Sequence, residues 1–323
     1  MPAIFALAPA KIILFGEHAV VYGRTAIAVP VTQVRAKAVI TPNPLSPPGI
    51  VLIDAPNIGL NAQLENLPVS HPLRVVVACV LKTLRVITPP SLTIRITSTI
   101  PLASGLGSGT AVSVAIIRAL SAYLGKPLPE PEVSELAYQV EKIYHGNPSG
   151  IDNSVITYAK PVFFIRNQPI QFIDVTHPFT LMIGDTGIKS PTSSVVEKVH
   201  KSWHTNPSVY ESIFDKIGGI TVEGKEAVQS GNSLILGQLL NRNHALLQEL
   251  GVSSPELDHL VRIALEAGAL GAKLSGGGQG GNMIALVEPT AASEIGHKLL
   301  ENGAVRTIIT SIGKVGQPEL SNP

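Results

Sequence analysis

The sequence predicts an α+β fold of two lobes, with a functional site in the cleft between them. Three observations carry this. Strand-like alternation fills the first third of the chain. The apolar period then changes to that of helices between residues 111 and 144. Strand-like segments recur among helices in the second half. A length of 323 residues suits about two domains, and the break is expected at 176–180, giving lobes of 1–178 and 179–323.

The elements follow in order. Ala3 to Phe15 is an apolar strand broken by Pro9. Residues 33–40 place Val34, Ala36, Ala38 and Ile40 on one face against Arg35 and Lys37 on the other. A loop rich in Pro and Gly covers 41–49, and a helix is expected near 72–86. Residues 92–97 alternate again, with Leu92, Ile94 and Ile96 against Thr93, Arg95 and Thr97. Residues 111–124 are apolar on nearly every side and predict a buried helix. In 131–144, Val133, Leu136, Ala137, Val140 and Ile143 keep helical spacing, with Pro131 near the start. Strands are expected over 155–175. Beyond them, helices are expected at 192–203, 208–230, 233–250 and 255–268, with strands at 180–186, 282–287 and 305–312.

Composition removes several function classes. Charged residues make up 15% of the chain and the formal net charge is +1. Mean hydropathy is +0.30. Disorder requires the opposite balance. A near-neutral chain has no long-range field to gather nucleic acid, and aromatics, at 4%, are too few for base-stacking platforms. The lone Cys79 permits no internal disulfide and no cysteine-based metal site. The longest apolar stretches are interrupted by Lys11 and by Arg74, Lys82 and Arg85, so no membrane span is expected. The N-terminus has no basic region ahead of its apolar stretch, so no secretory signal is expected. The expected setting is the cytoplasm.

Four segments bear chemistry. PLASGLGSGTA at 101–111 lies between a strand and the buried helix. Gly105, Gly107 and Gly109 let backbone N–H groups approach a ligand, and the helix N-terminus adds partial positive charge, so phosphate is the natural occupant. Ser108 and Thr110 supply hydroxyls. The segment alone is equally a tight strand-to-helix turn, and it lacks the GK[ST] ending of a P-loop. In KIILFGEHAVVYG at 11–23, Lys11 interrupts an apolar strand, where a buried lysine needs a partner, and Glu17 and His18 follow at the strand end. The plainer reading is a lysine reaching to water and a satisfied His–Glu pair. Glu141 sits at the edge of its helix's apolar stripe, and Asp152 follows the turn signals Asn147-Pro148 and Ser149-Gly150 in an expected constrained loop. One carboxylate suits a magnesium ion and the other a hydroxyl; a helix-terminal Glu and a turn Asp are the structural alternative. Finally, AKLSGGGQGG at 272–281 carries a glycine run whose entropic cost calls for a close backbone approach to a ligand or another loop; a flexible hairpin tip is the structural alternative.

Taken together, the order and spacing of these segments resemble the small-molecule kinases named for galactokinase, homoserine kinase, mevalonate kinase and phosphomevalonate kinase. The motifs at 8–18, 101–111 and 272–281 occur in the family's order, and the resemblance runs from about residue 3 to 312. Within that family, GEHAVV at 16–21, HGNPSGIDN at 145–153 and DTGIKSPTSSVV at 185–196 are similar to the mevalonate kinase branch.

The resemblance implies a ribosomal-protein-S5-domain-2-like N-terminal lobe and a ferredoxin-like C-terminal lobe. It implies ATP and Mg²⁺ as cofactors, mevalonate as substrate and, as is common among relatives, a homodimer. Asp152 would be the catalytic carboxylate at the C5 hydroxyl of mevalonate, with Lys11 beside it. Ala103, Ser104, Gly105, Leu106, Gly107, Ser108, Gly109 and Thr110 would wrap the ATP phosphates. Glu141 would hold Mg²⁺ with a loop hydroxyl, Ser108 being the first choice. Glu17, His18, Thr192, Gly276 and Gly277 would stand around mevalonate. The chain departs from the family at Gly109, where relatives commonly have a second serine, leaving Ser108, Thr110 or a water molecule for the cation. Two alternatives stay open: a related kinase for another alcohol or phosphomevalonate, and a catalytically silent sensor of nucleotide or metabolite.

Overall fold

A computed structural model describes residues 2–101, 104–145, 148–166, 168–189 and 192–313. Two sheets organise the chain. The first holds β1 (Ile4–Phe15), β2 (Ala26–Pro42), β3 (Val51–Ala55), β4 (Leu60–Gln63), β5 (Leu92–Ser98), β6 (Val162–Phe164) and β7 (Gln171–Phe172). The long β2 is its spine. One edge pairs with β1; the other pairs with β6 near its start and with β5 near its end. From the end of β2 the sheet continues through β5, β3 and β4, and from its start through β6 and β7. The register of β1 against β2 shifts between Pro9 and Ala10, where proline has no N–H to give to the ladder.

Helices α1 (Pro72–Thr83), α2 (Ser108–Tyr123), α3 (Glu130–His145) and α4 (Ile151–Tyr158) accompany this sheet. As its sequence predicts, α2 is buried on most sides, with Val114, Ile116, Ile117 and Leu120 at 1% exposure or less. Arg118 of α2 donates to the carbonyls of Leu7 on β1 and Thr157 on α4 and pairs with Glu130 of α3. One side chain thus ties together the strand and the helix that carry Lys11 and Asp152.

The second sheet holds β8 (Phe179–Asp185), β9 (Gly271–Ser275), β10 (Asn282–Val287) and β11 (Arg306–Ile312), all antiparallel, in the order β11-β8-β10-β9. Helices α5 (Thr192–Thr205), α6 (Pro207–Ser230), α7 (Ser233–Glu249), α8 (Pro255–Glu266) and α9 (Ala292–Glu301) complete it. Alternation splits its side chains between two cores. Met182, Ala272, Leu274, Met283 and Ala285 pack with α5, α8 and α9, whereas Leu181, Ile183, Ile284 and Leu286 join the core of the first sheet. The two sheets therefore share one apolar body.

Three expectations are corrected. Residues 155–158, expected as strand, belong to α4: Ile151, Val155 and Ile156 make a buried helical stripe, and the β-branched Val155 and Ile156 imitate a strand. Asp152 accordingly lies in the first turn of a helix and not in a loop. Ala272 to Ser275, the start of the segment read as a glycine run between a helix and a strand, belong to the buried strand β9. The elements β3, β4 and α9 also lie where no element was expected. Among the described residues, no helix is long and apolar enough to cross a membrane.

Candidate active site

Lys11 lies in the buried stretch of β1, between Ala8 and Ile12. Its side chain is 7% exposed, and its Nζ lies 3.0 Å from Oδ1 of Asp152. The pair answers the burial of the lysine's charge. Asp152 sits in the first turn of α4, behind an N-cap Gly150 with φ of 91°, where the helix dipole favours an anion. The Lys11 N–H donates to the Leu106 carbonyl at 3.0 Å, which stitches the glycine-rich loop to β1.

Gly107 is the N-cap of α2, with φ of +74°. A Cβ there would stand 2.7 Å from Ile156 Cδ1, 3.1 Å from Lys11 Cγ and 3.5 Å from Asp152 Oδ2. Only glycine lets the loop lie so close to the ion pair. Gly107→Ala is expected to cost about 1–3 kcal/mol from the backbone conformation alone. It should also depress turnover, read by a melting curve and steady-state rates on one preparation; wild-type values in both would contradict the close approach. Gly105 and Gly109 face open space. The Leu106 side chain instead fills the core at 1% exposure, so only its backbone belongs to the loop surface. Ser104 is buried, and its hydroxyl donates to the Pro101 carbonyl. Ala103 lies outside the described residues, as do Gly146 and Asn147 of the 145–153 motif.

Glu141, on α3, is 8% exposed and accepts a hydrogen bond from the Thr110 hydroxyl. Thr110, not Ser108, is therefore the loop hydroxyl seen at this carboxylate. Burial pushes the Glu141 carboxyl up to about 8, and the Asp152 charge adds to the push; the Thr110 bond and Lys11 oppose it. Glu141, Thr110, Asp152 and Lys11 form one electrostatic cluster at the start of α2. Among the described residues no group of three or more His, Cys, Asp or Glu side chains could hold a metal unaided.

A second cluster lies at the end of β1. His18, with φ of 60°, donates from Nε2 to the Gly277 carbonyl at 2.9 Å. That bond leaves Nδ1 as the ring's acceptor. Burial lowers the His18 pKa to about 4, with the Lys273 charge adding to the shift and the Gly277 bond opposing it. Thr192 begins α5 against Gly277, where an added Cβ would stand 2.9 Å from the threonine Oγ1. Gly276 has φ of +89° and open space beyond it.

Glu17 does not pair with His18. Its carboxylate and the Lys273 ammonium are both fully enclosed and bonded to each other. Burial raises the pKa of Glu17 and lowers that of Lys273, and the pairing opposes both shifts. Sequence reasoning missed Lys273, although it carries the signal that exposed Lys11: a lone charge in an apolar strand.

Two family models match the chain: the GHMP kinases N terminal domain over residues 74–160 and the GHMP kinases C terminal over 225–305. Mevalonate kinase of Thermococcus sibiricus is 34% identical over 332 residues, covering 97% of each chain. The chain belongs to the mevalonate kinase family of GHMP kinases. A second mevalonate kinase relative, from Thermococcus gammatolerans, is 35% identical, with 97% of each chain covered. Among solved structures, L. major mevalonate kinase in complex with R-mevalonate superposes with a TM-score of 0.82 at 30% identity, covering 98% of this chain and 97% of that one. Methanococcus jannaschii mevalonate kinase gives a TM-score of 0.82 at 26% identity. The fold is thus the mixed, two-part fold of this family, and GHMP kinases take ATP as phosphate donor.

Proposed function

We propose that this chain transfers the γ-phosphoryl group of ATP to the C5 hydroxyl of mevalonate. The observation that carries the reading is the Lys11–Asp152 pair at 3.0 Å, set beside Gly107 at the N-terminus of α2. Phosphoryl transfer requires in-line placement and stabilisation of negative charge more than covalent chemistry. Backbone N–H groups of 104–110 and the α2 dipole meet the phosphates. Lys11 neutralises charge on the transferring group. The C5 oxygen bonds to the γ-phosphorus as the bond to the β-phosphate oxygen breaks and ADP leaves. Asp152 orients the alcohol and accepts its proton late, because an alcohol is far less acidic than a carboxylic acid.

The donors present suit Mg²⁺. It prefers hard oxygen ligands and is commonly held by one or two carboxylates together with substrate phosphates. Glu141 and Thr110 would hold it, with Ser108 as the neighbouring hydroxyl. When bound, it supplies charge stabilisation to the phosphates. On the other side, neutral His18 offers Nδ1 to a substrate hydroxyl, and Thr192, Gly276 and Gly277 line the same wall. Glu17 acts indirectly, because Lys273 encloses its carboxylate. We read the lobes as 1–178 and 179–323, and the enzyme as cytoplasmic. The joint retention of Lys11, Glu141 and Asp152 favours catalysis over silent sensing.

A panel of small alcohols, with ATP consumption as readout, tests the reading. Turnover with mevalonate alone is expected; turnover only with another alcohol, or none at all, contradicts it.

Glu141 also sets a pH dependence. Without a cation its carboxyl keeps its proton up to about pH 8, whereas a cation needs the carboxylate. The Mg²⁺ concentration for half-maximal rate should therefore fall as pH rises through about 8. Glu141→Gln should raise the Mg²⁺ requirement and abolish that dependence. An unchanged Mg²⁺ titration removes Glu141 from the cation's ligands. The same shift makes the metal-free protein lose stability as pH rises from 4.5 towards 8, because the folded state keeps a proton that the unfolded chain has released.

A further inference from the structure

Asn282 stands opposite Ser275, and Ile284 opposite Lys273, in the β10–β9 ladder. Alternation puts these four side chains on one face of the second sheet, the face on which Ile284 joins the core of the first sheet. The three polar members all reach across. Lys273 meets Glu17, the Ser275 hydroxyl donates to the Ile13 carbonyl at 2.7 Å, and the Asn282 amide donates to the Ser104 carbonyl. Only the last of these bonds goes to the glycine-rich loop.

The Ser104 carbonyl fixes the orientation of the Asn282 amide, since a carbonyl only accepts. Asn282 is 2% exposed, and its Oδ1 has no hydrogen-bond partner among the described residues. A half-satisfied buried amide is costly, and an apolar side chain of similar shape would avoid that cost. The donor therefore has a use that offsets it. The loop is held at two points, the Ser104 carbonyl by Asn282 and the Leu106 carbonyl by the Lys11 N–H. Gly105 lies between them with φ of +76° and open space beyond. The anchor is itself fixed, because neighbouring Gly281 accepts from the Thr186 N–H and donates to the Ile188 carbonyl, each at 2.9 Å.

We propose that Asn282 is a positioning residue for the phosphate-binding loop: its amide, carried on the second sheet, sets where the N–H groups of 105–110 meet the phosphates of ATP. This rests on the phosphotransferase reading above. Asn282 touches no substrate and acts through Ser104. It also links the nucleotide side of the cleft to the glycine segment on the mevalonate side.

The test compares Asn282→Leu, which keeps the branching and the number of heavy atoms, with Asn282→Ala and with Ser275→Ala, which removes a bond from the same face that does not reach the loop. All are assayed below their melting transitions. Loss of one buried hydrogen bond should raise the KM for ATP about three- to tenfold in both Asn282 variants, with the KM for mevalonate unchanged and Ser275→Ala retaining the wild-type KM for ATP. Wild-type ATP values in both Asn282 variants overturn the proposal. So does an equal rise of both KM values in the Asn282 and Ser275 variants, which would mark a merely structural bond. Calorimetric titration with a non-hydrolysable ATP analogue separates this from the substrate reading. A wild-type protein that binds the analogue but does not phosphorylate mevalonate overturns that reading, and weaker binding by Asn282→Leu still upholds this one.

Discussion

Asp152→Asn should lower kcat by about 10²- to 10⁴-fold, the usual contribution of a positioned acid–base group. Asparagine keeps the shape, the place in the first turn of α4 and the space beside Gly107. It loses the acceptor for the alcohol's proton and the anion that faces Lys11 across 3.0 Å. The KM for ATP should change little, because the loop and the α2 N-terminus are untouched, and the melting curve should show a folded protein. Lys11→Met should fall by a comparable factor for a different reason. On the proposed reading it removes the cation that meets the transferring group, and it leaves Glu141 and Asp152 without the positive charge that offsets them. Lys11 holds the Glu141 pKa down, so this variant should also move the Mg²⁺ titration to higher pH. Steady-state kinetics and a pH series of Mg²⁺ titrations check both variants; near-wild-type turnover in either one removes that residue from the chemistry.

The largest effect on stability is expected at Lys273. Its side chain and that of Glu17 have no exposure, so neither charge is screened by solvent. Lys273→Met strands the Glu17 carboxylate in the interior and should cost about 3–5 kcal/mol, the usual penalty for removing one partner of a buried pair. The carboxyl escapes part of that penalty by taking up a proton, so the loss should grow with pH. Glu17→Gln combined with Lys273→Met removes both charges and should recover most of the loss, because the desolvation of the pair disappears with its attraction. Chemical denaturation of the two single variants and the double variant measures this. A Lys273→Met protein as stable as wild type would contradict the closed geometry.

The legible part of the site was the part encoded by local exceptions. Lys11 is a charge inside an apolar strand, the 105–109 glycines break a strand-to-helix junction, and Glu141 sits at the edge of an apolar stripe. Each exception is visible within a few residues. Asp152 was legible as a residue and misread as loop, because the turn signals Asn147-Pro148 and Ser149-Gly150 directly before it hid the start of α4. The long-range polar contacts made by the second sheet were not legible. Lys273 finds Glu17 across 256 residues of sequence, and the Ser104 partner of Asn282 lies on the other sheet, so no local spacing announces either contact. The glycine run at 276–281 hid the strand before it, since a dense run of glycines reads as loop while Gly271–Ser275 is fully buried. The scarcity of surface charge in the composition has no explanation in the site.

The position of the transferred phosphate tests the central claim most directly. The protein is incubated with ATP, Mg²⁺ and mevalonate, and the product is examined by proton-coupled phosphorus NMR. Transfer to the primary C5 hydroxyl predicts a new phosphate ester signal split into a triplet by the two neighbouring methylene protons, and its absence with Asp152→Asn over the same interval. Release of inorganic phosphate alone, or an unsplit ester signal from the tertiary hydroxyl, would contradict it.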